Sequence, residues 1–85
     1  MYDIYIEHSA EKDLIRLSKT VYYRIIKKIN SLTDNPRPKG CGKITGSKND
    51  WRIRIGNYRV IYEINDKEES LNIMRVKHRK EAYQL

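Results

Sequence analysis

The stretch that decides the fold is Trp51-Arg-Ile-Arg-Ile-Gly-Asn-Tyr-Arg-Val-Ile-Tyr-Glu-Ile64. Apolar and basic residues alternate through Trp51–Ile55, Gly56-Asn57 turns the chain, and Tyr58–Ile64 resumes an extended pattern. A period of two interrupted by a two-residue glycine turn predicts an antiparallel hairpin. Arg52 and Arg54 then share one face, with Trp51, Ile53 and Ile55 on the other. In the second strand Tyr58, Val60, Tyr62 and Ile64 form the core row, which leaves Arg59, Ile61 and Glu63 outside. Alternation alone therefore gathers Arg52, Arg54 and Arg59 into one cationic cluster, with Glu63 the only acid nearby.

Working outward, Tyr2–Glu7 is β-rich and alternating, a first strand. Ser9 is a candidate helix cap, with Glu11 in the first turn and Ala10, Leu14 and Leu17 on one stripe. After a break at Ser18–Thr20, Val21, Ile25, Ile29 and Leu32 recur at helical spacing, flanked by Tyr22 and Ile26. Lys27 and Lys28 sit late in this helix, where its negative pole favours cations. Asn35-Pro36-Arg37-Pro38 ends it, because proline cannot continue the hydrogen-bond ladder. The short break between the helices implies an antiparallel pair. Lys43–Thr45 reads as a short strand, Asn65–Glu69 as a polar turn, and Ser70–Lys77 as the last strand. In that strand the parity is ambiguous: Leu71 and Ile73 share a row with Arg75 and Lys77, and Asn72, Met74 and Val76 form the other. The expected architecture is α+β, a single domain over residues 1–85. An N-terminal strand and an antiparallel helix pair precede a three- to four-stranded antiparallel meander, with both helices on one sheet face. Val21, Ile25, Ile29, Ile53, Ile55, Val60 and Tyr62 are expected in the core.

The 85 residues carry 18 Lys+Arg and 11 Asp+Glu, a formal net charge of +7. Nearly all the excess lies in the second half: residues 35–62 hold seven basic side chains and one acidic. Clustered positive charge beside aromatics is the footprint of a polyanion partner, nucleic acid first. No apolar run approaches the roughly 18 residues of a membrane span, so no membrane partner is expected. The N-terminus lacks a basic run followed by an apolar stretch, so no signal peptide is expected. With that, a lone Cys41 fits a reducing cytoplasm. Cys41, His8 and His78 are too few ligands for a structural zinc site. Gly40, Gly42 and Gly46 do not form a phosphate loop, and no D-x-D spacing suggests magnesium, so neither cofactor nor metal is expected.

Metal-free cleavage is possible on RNA, where the 2′-OH is an internal nucleophile. A base takes its proton, cations stabilise the crowded phosphorane, and an acid protonates the leaving 5′-oxygen. Arginine suits the middle task, since its planar fork matches phosphate oxygens and stays charged. The candidates for proton transfer lie in His78-Arg-Lys-Glu-Ala-Tyr83: the imidazole of His78, or the phenol of Tyr83 with Arg79 beside it.

The Trp51–Ile64 run, followed by Val76-Lys-His-Arg-Lys-Glu-Ala-Tyr83, resembles the RelE/ParE toxin superfamily, RelE more than ParE. Asn35-Pro36 and Lys43–Gly46 match as well, so the resemblance spans essentially the whole chain. It implies a toxin of a type II toxin–antitoxin pair, an mRNA interferase that enters the ribosomal A site and cuts the bound message without metal. It also implies an inhibitory RelB-like antitoxin, contact with ribosomal RNA, and a toxin–antitoxin complex that binds operator DNA through the antitoxin. Carried over by position, Arg52, Arg54, Arg59, Arg79 and Tyr83 are the implied catalytic residues. His78 shares the proton-transfer role with Tyr83. Lys43, Lys48, Arg75, Lys77 and Lys80 are the basic side chains expected to hold the substrate. Some members place lysines where Arg52 and Arg54 stand, and the spacing from Arg79 to Tyr83 is shorter than in some. The chain ends two residues after Tyr83, so no C-terminal helix is expected. Two other readings share this sequence: a ParE-like poison of DNA gyrase that cuts nothing, and an inert relative that only binds its antitoxin.

Overall fold

In the computed structural model, which describes residues 1–82, the alternating N-terminal segment forms β1 (Asp3–Ile6) and the two amphipathic stripes form α1 (His8–Ile15) and α2 (Lys19–Ser31). Ser18 caps α2, accepting from the Val21 N–H. Ser9 does not cap α1, which begins a residue earlier; its hydroxyl instead donates to the Met74 carbonyl at 2.8 Å. Then follow β2 (Gly42–Lys43), β3 (Asp50–Ile55), β4 (Tyr58–Asn65), β5 (Ser70–His78) and a single helical turn, α3 (Arg79–Ala82). That turn precedes Tyr83; the expectation of no C-terminal helix beyond Tyr83 falls on residues 83–85, outside the described residues. The backbone N–H of Arg79 is anchored to the Asn57 carbonyl at 2.6 Å, and His78 Nδ1 accepts from the Lys80 N–H at 3.2 Å.

The sheet runs β1-β5-β4-β3-β2. Strands β2 to β5 form the expected antiparallel meander. Strand β1 adds to β5 in parallel, Ile4 opposite Leu71 and Ile6 opposite Ile73, which makes the sheet mixed. Ala10, Leu14, Ile25, Ile29 and Leu32 of the helical layer pack on Ile53, Val60, Tyr62, Ile64, Leu71, Ile73 and Val76. Val21 and Ile55 are only half-buried and border this core. Arg52 and Arg54 are exposed, as the alternation requires.

The ambiguous parity of the last strand is resolved by a β-bulge. Ile61 lies opposite Arg75 but its neighbour Tyr62 lies opposite Ile73, so Met74 is an extra residue in β5. An added residue switches the side-chain rows. Leu71, Ile73 and Val76 can thus all be buried while Arg75 and Lys77 keep the register of Ile61 and Arg59. The Met74 carbonyl is the one that takes the Ser9 hydroxyl.

The loop between α2 and β2 is clamped from several directions. The Arg37 guanidinium forms a fork on Asp66 at 2.8 and 3.2 Å and lies 4.9 Å from the Trp51 ring centre. Tyr2 donates to the same carboxylate at 2.7 Å, and Tyr62 donates to the Pro36 carbonyl at 2.8 Å. Burial first, and Cys41 second, push the Tyr62 hydroxyl well above its ordinary pKa, so it remains a donor. No helix among the described residues is long and apolar enough to cross a membrane.

Candidate active site

Residues directly opposite in neighbouring strands point to the same face of a sheet. Arg54 lies opposite Arg59, Arg59 opposite Lys77, and Arg52 opposite Ile61. Arg52, Arg54, Arg59 and Lys77 therefore form one cationic row, exposed at Arg52 and Arg54 and half-buried at Arg59 and Lys77. Arg52 lies across Gly42, its cross-strand neighbour, where a Cβ would come within 2.9 Å of the guanidinium. It also donates a long 3.5 Å hydrogen bond to the Lys43 carbonyl. The missing side chain at Gly42 is what lets the arginine lie flat over the short edge strand.

A cleft of about 320 Å³ opens beside this row, lined by Lys28, Lys39, Gly40, Arg52, Ile53, Arg54 and Arg59. Five cationic side chains from α2, the clamped loop, β3 and β4 converge there, and no acidic residue among those described lines it. Such a field stabilises added negative charge on a phosphate. Lys28 and Lys39 were not among the residues expected from the sequence. Lys28 reads as a cation suited to the helix end; its place flanking the Ile25/Ile29 stripe, on the half-buried side of α2, was the available signal.

The other expected residues divide. Arg75 is drawn to the outer edge of β5, where its guanidinium forms a bidentate pair with Asp13 at 2.9 and 3.1 Å. The Val76 N–H donates to the same carboxylate at 2.9 Å. Burial raises the Asp13 pKa, but the hydrogen bonds from Arg75 and Val76 outweigh it and hold the carboxyl below its ordinary value. Lys43 lies opposite Trp51, so its row is the reverse of Arg52's. Lys48 sits in the exposed turn before β3, and Arg79 and Lys80 are exposed on α3. His78 lies opposite Tyr58, its ring edge-on to the tyrosine at 5.1 Å. With Asp13, Arg16, Leu17, Tyr58 and Val76 it borders a separate cavity of about 270 Å³ between α1 and the sheet. The structure thus does not bring His78 to the arginine cleft; its register turns it to the helix side. Tyr83 lies outside the described residues. Among those residues, no group of three or more His, Cys, Asp or Glu side chains is placed to hold a metal.

A family model described as the ParE toxin of the type II toxin–antitoxin system, parDE, matches residues 4–83. Toxin RelE3 of Methanocaldococcus jannaschii is 46% identical over 54 residues, 64% of this chain and 59% of that toxin. The chain thus matches about six-tenths of the length of that curated relative. Among solved structures, a chain of the archaeal RelE–RelB complex from Pyrococcus horikoshii OT3 is 31% identical with a TM-score of 0.82, over 92% of this chain and 94% of that one. A chain of the RelB–RelE antitoxin–toxin complex from Methanococcus jannaschii is 29% identical with a TM-score of 0.77, over 93% and 94%. The isolated RelE toxin of E. coli, at 24% identity and a TM-score of 0.80 over 99% and 93%, shares the fold.

Proposed function

The chain belongs to the RelE/ParE superfamily of type II toxin–antitoxin toxins, and from that premise we propose that it is a ribosome-dependent mRNA endonuclease. The observation that carries the reading is the cleft of five cations beside the Arg52–Arg54–Arg59–Lys77 row, with no acid in its lining among the described residues. In the proposed reaction the 2′-oxygen bonds to phosphorus and the bond from phosphorus to the 5′-oxygen breaks. This leaves a 2′,3′-cyclic phosphate and a 5′-hydroxyl. The proton of the 2′-OH goes to a base, and the leaving oxygen takes one from an acid. Arg52, Arg54, Arg59 and Arg79 bind the scissile phosphate and stabilise its added charge. Proton transfer falls to Tyr83 or Lys77. A lysine can give up a proton where a guanidinium hardly can. His78 is the weaker candidate, because its register turns it from the arginines.

The proposed partner is an acidic or extended RelB-like antitoxin that masks the arginines or displaces the segment after β5. Relatives solved as RelE–RelB complexes support that assignment. The complex would bind operator DNA through the antitoxin, and the site of action would be the cytoplasm.

The test is to induce the protein in cells and map new 5′ ends on translated messages. Breaks inside codons support cleavage in the A site. Intact messages with damaged DNA would instead support a gyrase poison, the second reading, which the ParE description of the matching family model favours. Arg59→Ala should abolish arrest while the protein still folds and binds its antitoxin, since one preorganised charge contact is worth about 10²–10³ in rate. Tyr83→Phe keeps the ring and removes only the hydroxyl.

A further inference from the structure

The sheet face that carries the arginines also carries acids. Asp50, Arg52 and Arg54 of β3 share it with Arg59, Ile61 and Glu63 of β4. Helices α1 and α2 pack on the opposite face. The register sets like beside like, Arg54 opposite Arg59 and Asp50 opposite Glu63. Like charges directly opposite each other destabilise a sheet, so neither pairing is explained by the sheet itself. Asn72 and Tyr5 continue the Asp50–Glu63 row across β5 to β1, and Tyr5 is 60% exposed. The face is thus polarised along its strands, cationic at one end and acidic at the other. Arg54 lies four residues from Asp50, and Arg59 four from Glu63. Both charge separations are therefore about 13 Å.

We propose that this face is a self-complementary docking surface on which a second copy of the chain seats face to face. The operator is a two-fold axis lying across the strands at the level of Arg52 and Ile61. It sets Arg54 against the partner's Asp50 and Arg59 against the partner's Glu63, each pair occurring twice. Equal charge separations on β3 and β4 let one axis serve both strands. Stacked sheets lie about 10 Å apart, a gap that an arginine and a carboxylate span together. Ile61 meets its own copy on the axis, and Tyr5 adds an exposed aromatic at the rim. Arg52 lies flat over Gly42 toward β2, which takes it off the axis. A nucleic-acid strand laid along this face gains at Arg54 and loses at Asp50 and Glu63. A partner with both signs in reversed order gains at both ends, and a second copy is one. The net charge of +7 opposes association, but salt at about 0.15 M screens charges farther apart than about 8 Å, and the facing pairs are closer. Three strands and about 13 Å of their length make a small interface, so the dimer is weak and concentration-dependent. Each copy covers the other's Arg54 and Arg59. One consequence rests on the proposed function: the dimer is then a self-masked store of toxin, opened by dilution.

The test is sedimentation equilibrium of the antitoxin-free full chain at physiological ionic strength over a range of concentrations. The average mass should climb from 10.2 kDa toward twice that value as concentration rises. Glu63→Lys, at an exposed position, sets like charge against the partner's Arg59 and should weaken association by about 10²-fold. Arg54→Asp alone should do the same, by facing the partner's Asp50. Adding Asp50→Arg to it reverses both members of that pair and should restore the dimer. Circular dichroism checks the fold of each variant, and Glu63→Lys carries the test by itself if the double variant does not fold. A chain that stays monomeric at every concentration overturns the proposal. So does a dimer that survives Glu63→Lys, which would place the contact on another surface. Neither RNA nor antitoxin enters the measurement. Intact messages after induction would therefore sink the endonuclease reading and leave the dimer standing.

Discussion

Single residues set the geometry of the cleft, and two substitutions separate placement from chemistry. Gly42 has no positive φ, so alanine fits its backbone. The added Cβ meets only the far end of Arg52. Gly42→Ala should therefore leave thermal stability within about 0.5 kcal/mol of wild type. The displaced guanidinium should lower single-turnover cleavage of ribosome-bound message, by up to about 10² if it moves by 1 Å. His78 Nδ1 accepts the Lys80 N–H, the position of a helix-capping side chain. His78→Asn preserves an acceptor there and should retain both fold and cleavage; His78→Ala should destabilise the turn of α3. A folded His78→Asn variant that no longer cleaves would restore the imidazole as a proton carrier. The arginines of β3 and β4 were legible because alternation fixes which way a side chain faces. Lys28 and Lys39 were not, since the cleft joins elements whose approach no local pattern specifies.

At the scale of elements, the strands and helices followed from periodicity, while the bulge and the edge pairing of β1 did not. A run of nine residues with two contradictory apolar rows needs one extra residue to bury both, and nothing in Ser70–His78 marks where it goes. Deleting Met74 should force one row to the wrong face. The expected outcome is a chain without a cooperative thermal transition. A folded deletion variant would mean that the bulge is dispensable. Asp13 joins α1 to β5 just beyond the end of β1. Arg75 is 41% exposed, so water screens the ion pair, and the bond to the Val76 N–H is the larger loss. Asp13→Ala should cost about 1–2 kcal/mol by urea unfolding. The sign with pH follows from a depressed carboxyl. Its contribution is complete above the ordinary aspartate value of about 4 and drains away as pH falls through the lower folded value. Wild type should thus lose more stability than Asp13→Asn on acidification below about pH 4. Parallel curves would mean the carboxylate charge adds nothing.

For the whole molecule, the order of strands in space departs most from their order in the chain at β1, which pairs with β5 across 67 positions, Ile4 with Leu71 and Ile6 with Ile73. Pairings this distant form late, after the intervening chain has been organised. Biosynthesis imposes the same order more strictly. A translating ribosome emits the first strand long before its partner exists, and the helix pair that follows has only part of a sheet to cover. Nascent chains stalled before residue 70 should be digested readily by a protease that spares the released protein. Resistance at that stage would mean the meander is not needed for closure. The last strand also carries Lys77 into the cationic row, so the face proposed to attack translation is assembled only once synthesis has passed that strand. On the proposed function, a growing chain would thereby be kept harmless to the machine that makes it.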